Sequence, residues 1–232
     1  GSGALSSNTA TSNLTAVGYQ ALTANTTGTL NTAVGRSALA ANVDGNFNTA
    51  VGDQALVANT SGASNTSTGT SSLLSNTTGS HNTATGVNAL GANTSGFSNT
   101  ATGSGALTAN TTGSSNSAHG QTAMALNTTG IRNTATGHQA LHDNTTGSSN
   151  TADGWRALYQ NDNGTGNTAV GYSALNFNTS GNNNVALGHL AGDNITTGSA
   201  NIMLGYDIDA PNATGSNPVS YTHLTLPTSR SV

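Results

Sequence analysis

A glycine returns every 17 residues, from Gly1 through Gly18, Gly35 and Gly52 onward to Gly205, with no insertion or deletion. A second glycine ladder, Gly28, Gly45, Gly62 and onward to Gly215, keeps the same spacing. A fixed period over nearly the whole chain marks a repeat architecture, in which each unit contacts its neighbours and more units make a longer molecule. Numbered from Asn31, the unit reads N-T-A-V-G-x-x-A-L-x-A-N-T-T-G-x-x, as in NTAVGRSALAANVDGNF at 31–47 and NTAVGYSALNFNTSGNN at 167–183.

Seventeen residues are too few for a helical hairpin, and the unit has no 3.6-residue periodicity. Thr-Ala-Val between Asn and Gly reads instead as a short strand bounded by turn signals. The expected fold is therefore all-β: a parallel β-solenoid, of β-roll or β-helix type, with about twelve 17-residue coils. Coils stacked at the strand spacing of roughly 4.8 Å make a rod about 60 Å long.

Stacking turns each position of the unit into a column. Positions three and eight are almost all Ala, so only small residues fit there. Position nine is expected to be the main buried column: Leu22, Leu39, Leu56, Leu73, Leu90, Leu107, Met124, Leu141, Leu158 and Leu175. Position six varies from Tyr19 and Arg36 through Asp53 and Val87 to His138 and Trp155, as a column facing solvent or a partner does. Positions one and twelve are asparagine columns, expected to form amide ladders at the corners and to satisfy turn backbone groups. Many of these asparagines sit in N-x-S/T sequons, which turn chemistry already explains. The glycines are expected where the corners need positive φ or close backbone approach.

Composition supports a thin-cored rod and narrows the partners. Charged residues make up 5% of the chain and aromatics 4%, which without a period would indicate disorder. A net charge of −4 leaves no electrostatic footprint for nucleic acid, and no apolar run has the length of a membrane span. With no cysteine, disulfides and thiolate metal sites are excluded. A coil that buries one Leu and a few Ala gains from covering another face with identical chains, and three-fold closure does this in extracellular fibres.

NTAVG at 31–35 and YQALTANTTG at 19–28 resemble the repeats of bacteriophage tail-fibre proteins and the coils in the heads of trimeric autotransporter adhesins. The resemblance covers residues 1–205 and implies a rigid, extracellular, non-enzymatic homotrimer that contacts a host-surface glycan or protein receptor. Adhesin head coils are shorter than 17 residues, so coil shape and handedness do not carry over. NIMLGYDIDAPNATGSN at 201–217 is similar to the junction that precedes a self-cleaving chaperone domain in tail fibres. The expected organisation is a repeat solenoid over 1–205, a cap or junction over 206–218, and a non-native tail over 219–232, where VSYTHLTLPT resembles a translated sequencing adapter.

The chemistry-bearing residues are sparse. His81, His119, His138, His142 and His189 fall without ligand spacing and His223 lies in the tail, so neither metal nor cofactor is expected. Ser and Thr recur as ladders with no strained elbow and no paired base; GYSAL at 171–175 is only superficially a nucleophile motif. The glycine-rich turns lack the Lys of a phosphate cradle, and no enzyme is expected. The fourth column, which includes His119 and Asp153, either faces water or lines a three-fold axis, where converging charges would need neutralising. For ligand binding the candidates are Tyr19, Trp155, Tyr172, His189 and Tyr206, whose rings suit glycan stacking. The rival function is ice binding by a Thr-x-Thr face made of Thr66, Thr68, Thr83, Thr85, Thr100, Thr102, Thr134 and Thr136.

Overall fold

In a computed structural model, which describes residues 2–9 and 13–221, the chain is an all-β solenoid of about twelve coils. Each coil contributes one three-residue strand, from β1 (Thr15–Val17) and β2 (Thr32–Val34) to β12 (Ile202–Leu204) and β13 (Val219–Tyr221). The strands form one parallel sheet of 13 in sequence order, and every pairing steps by 17, as in Ala16 with Ala33 and Ala169 with Ala186. The register runs on into Val219–Tyr221, so the first residues after the junction still occupy strand positions.

The backbone ladder is continuous because the amides of each coil reach both neighbours. Thr32 N–H donates to Asn48 O of the next coil and Gly35 N–H to Val17 O of the preceding one, each at 2.8 Å. Such pairing leaves few backbone groups unbonded in a chain with little apolar surface to hide them.

The interior has an apolar half and an amide half. Leu22 through Leu175, with Met124 in the series, is fully buried between the Ala columns of positions three and eight. Where Ser67 and Ser72 replace two of those alanines, they satisfy each other across the coil with Oγ atoms 2.6 Å apart. The asparagines from Asn31 to Asn201 at position one and from Asn25 to Asn178 at position twelve are buried as well, at 0–1% exposure, so they lie inside the rod and not merely at its corners.

Each buried amide is bonded along the axis. Asn42 Nδ2 donates to Asn25 Oδ1 of the preceding coil at 2.8 Å and to Gly45 O at 3.0 Å. Asn31 Nδ2 donates to the same Gly45 O at 2.7 Å, while Asn31 Oδ1 accepts the backbone N–H of Asn48 at 2.8 Å. Two asparagines thus saturate one glycine carbonyl, and the pattern repeats coil after coil. An unbonded buried amide is costly, so this pairing, which lapses only at Asn201 Oδ1 in the last coil of the column, is what allows asparagine to form half a core.

The two glycine ladders serve different needs. Gly35 has φ +142° and is packed on Gly52 O of the next coil, so it needs both an unusual backbone angle and space. Gly45 needs only space: a Cβ there would lie 2.5 Å from Asn42 Oδ1 and from Gly62 O. Positive φ is not confined to glycine, however. Leu39 (φ 51°), Ser37 (φ 56°) and Phe47 (φ 60°) adopt left-handed angles, and their columns repeat this through the rod. A branched side chain pays a steric penalty there. For leucine the penalty is offset by full burial, and positions six to eleven run as consecutive turns.

Candidate functional site, an aromatic ladder beside a threonine face

The sixth column becomes a stack of rings in the last third of the rod. His138, Trp155, Tyr172, His189 and Tyr206 lie one above another, with successive centroids 6.5, 4.6, 4.8 and 5.1 Å apart. Their planes differ by 8–14°, so the faces are turned toward each other along the rod. The coil spacing imposes this arrangement, because it matches the separation at which parallel aromatic rings pack. Faces covered by neighbours are closed to a ligand, which meets ring edges and hydroxyls instead. Tyr206, at 68% exposure, is more open than Tyr172, at 46%.

Beside the stack is a cation held by aromatic rings. Arg156 Cζ lies 4.4 Å from the Trp155 ring centroid and 4.9 Å from that of Tyr159. Trp155, stacked between His138 and Tyr172, thus also carries the guanidinium over its ring. Arg156 Nε donates to Gln139 Oε1 at 2.8 Å. His142 stacks on Tyr159 at 5.2 Å, and its Nδ1 is 2.6 Å from Asp143 Oδ1. By contrast, the early part of column six carries the exposed ion pair Arg36–Asp53, with Nε 2.8 Å from Oδ1.

The sheet presents the threonine face. Positions two and four point outward and position three inward, so Thr66/Thr68 and Thr83/Thr85 are exposed on both sides of a buried Ser67 or Ala84. Thr100/Thr102 continues the array and Thr134/Thr136 resumes it, but Ser117 and His119 separate the two blocks. His119 and Asp153 are exposed on this face in the single chain. Toward both ends the same columns turn apolar, with Val17 57%, Val51 38%, Leu187 52% and Leu204 38% exposed.

Of the five ligand candidates, four are brought into one stack and Tyr19 is not. Tyr19 is 53% exposed near the other end of the rod, where the next residue in its column is Arg36. His138, His142, Arg156 and Tyr159 were not among the ligand candidates, although His138 was placed in column six and both histidines were weighed as metal ligands. Two of these had a visible signal: His138 precedes Trp155 by one period, and His142 precedes Tyr159 by one period. Arg156 had none, because its column contains no aromatic residue and no other cation.

Three carboxylates, Asp193, Asp207 and Asp209, gather at the closing coils. Burial, and then the charges of Asp209 and Asp207, push the Asp193 carboxyl above its usual range. Among the described residues no group of three or more His, Cys, Asp or Glu is placed to hold a metal ion. His223 lies outside the described residues. Among those residues, no helix is long and apolar enough to cross a membrane. The depression along Gln20, Thr23, Ala40, Ala41 and Val57 is shallow and open. No family model, curated protein or solved structure matches the chain.

Proposed function

We propose that this chain is a rigid, length-setting segment of an extracellular fibre, of phage tail or bacterial surface, that works without catalysis as a homotrimer and presents a receptor-contacting side. The observation that carries the reading is the unbroken step of 17 through twelve strand pairings, β1 to β13, which makes length the one quantity that the repeats control. The apolar ends of the sheet face support association, because exposed Val17, Val51, Leu187 and Leu204 gain from being covered by another copy. The aromatic stack gives the rod a distinct side for a glycan or protein receptor.

Removal of two whole coils, residues 65–98, tests this. The shortened protein is expected to fold, to sediment as three copies of its chain, and to form rods about 10 Å shorter in electron micrographs. Unfolding on deletion, or a compact monomer of unchanged length, refutes the reading. Ice binding is kept as a second reading because the Thr66/Thr68 to Thr100/Thr102 block is a regular outward array. Thermal hysteresis of the purified chain decides it, since a covered or inactive face gives none.

A further inference from the structure

We infer that Arg156 and the rings around it form a binding site for a carboxylate-bearing sugar. The guanidinium is fixed in place: Trp155 lies 4.4 Å from it, Tyr159 4.9 Å, and Gln139 accepts from Nε at 2.8 Å. Among the described residues the two terminal nitrogens have no hydrogen-bond partner, and no carboxylate lies within ion-pair distance. The carboxylate of Asp143 is engaged by His142 Nδ1. In a chain with four Lys and Arg in all, Arg36 is paired to Asp53 and Arg132 is exposed, and among the described residues Arg156 is the cation held over aromatic rings.

The geometry selects the ligand. A planar guanidinium with Nε occupied offers its two terminal N–H groups as a fork, which matches the two oxygens of a carboxylate. The surroundings are not an apolar pocket: half-buried Gln139 and the rings of Trp155 and Tyr159 border it, and such a rim suits a ring rich in hydroxyls. Because the aromatic faces are stacked on each other, binding proceeds through the charged edge and not through a sugar lying flat on a ring.

This inference rests on the aromatic side being the presenting side. The chain has a single tryptophan, Trp155, so its fluorescence reports on this site alone. The full chain is titrated at low salt with a galacturonic acid trisaccharide, with the neutral galactose trisaccharide, and with a triglutamate peptide. The acidic sugar is expected to bind about tenfold tighter than the neutral one and to change the Trp155 emission. Arg156→Gln should bring the acidic sugar to the neutral value, and Arg156→Lys should fall between, with melting curves confirming the fold. Acidic and neutral sugars binding alike, an unaltered preference in Arg156→Gln, or full retention in Arg156→Lys each overturn the carboxylate site and leave the presenting side standing. Triglutamate binding as tightly as the acidic sugar overturns the assignment to sugars. No binding of either sugar overturns both.

Discussion

From Asn31 to Asn183 each coil sets a leucine or methionine beside a buried asparagine; in the coil from Asn184 to Ala200 those two slots hold Gly192 and Ile195. The interior volume is kept by exchange. Ile195 is fully buried and fills the space left by Gly192, whose Cβ would meet Met203 Cγ at 3.0 Å, Leu175 Cδ2 at 3.2 Å and Ile195 Cδ1 at 3.3 Å. The exchange falls where the amide ladder ends. Asn212, one period further on, is exposed and its Oδ1 accepts from Thr214 N–H at 3.0 Å, so an amide at 195 would have no successor. The regular coils and the closing coil therefore obey one rule: an asparagine is buried where neighbouring amides bond it, and is replaced by an apolar side chain where they do not.

The largest way to break the regular half of this comparison is to charge its apolar column. Leu90→Asp puts a carboxylate at a site with no exposure and no partner amide, and is expected to cost about 4 kcal/mol or more. Thermal unfolding followed by circular dichroism checks it. Because contacts in a solenoid are local, hydrogen exchange should rise first in the coils next to Leu90. An unaltered melting temperature would show that Leu90 is not buried.

The ladder rule is sharpened by comparing its middle with its end. Asn93 donates to Asn76 Oδ1 at 2.7 Å and to Gly96 O at 3.0 Å, and accepts from Asn110 Nδ2 at 2.8 Å. Asn178 makes the same donations, to Asn161 and Gly181, but its Oδ1 accepts only a 3.5 Å contact from Asn184. Asn93→Ala should cost about 2–4 kcal/mol and Asn178→Ala about 1 kcal/mol less, since fewer buried groups are orphaned. Equal losses by chemical denaturation would contradict an axial ladder.

A smaller effect tests the exchange itself. Gly192→Leu alone overpacks the closing coil by about 1–3 kcal/mol, and Ile195→Asn alone leaves a cavity and an unbonded amide. Made together they restore the regular pattern, so the double variant should lose less than the two single losses combined, by about 1 kcal/mol. Strict additivity in a double-mutant cycle would separate the two slots.

Much of this rod is legible in the sequence, for a reason that also marks where legibility stops. With a fixed period, composition at each position becomes a column, and the column of Leu22 to Leu175 could only be interior. The left-handed angles of Leu39 and Ser37 were not legible, because single residues of those types carry no positive-φ signal; stacking imposes the angle and burial offsets it. The amide ladders of Asn31 and Asn42 were legible as columns, but their full burial was not, because asparagine reads as a corner residue and the bonds that let it sit inside the rod come from its own coil and from the coils on either side. At the aromatic ladder, column six was legible, but the orientation of its rings was not. Arg156, Tyr159 and Trp155 belong to three columns, and a reading made column by column does not bring them together.

The smallest expected effect concerns the charge that accompanies the closing coil. Asp193 sits one residue after Gly192, and its carboxyl is pushed above the ordinary value of 3.8 by burial and by Asp209 and Asp207. A carboxyl whose folded pKa is raised binds its proton more tightly when folded. Its contribution to stability is thus fully present below pH 3.8 and is lost as pH rises through the folded value. Asp193→Asn removes the charge and keeps the shape, so it should melt slightly higher than the parent at neutral pH and alike near pH 3. If Asp193→Asn melts lower at neutral pH, the carboxylate is stabilising the closing coil, and its crowding by Asp207 and Asp209 is not what limits that end of the rod.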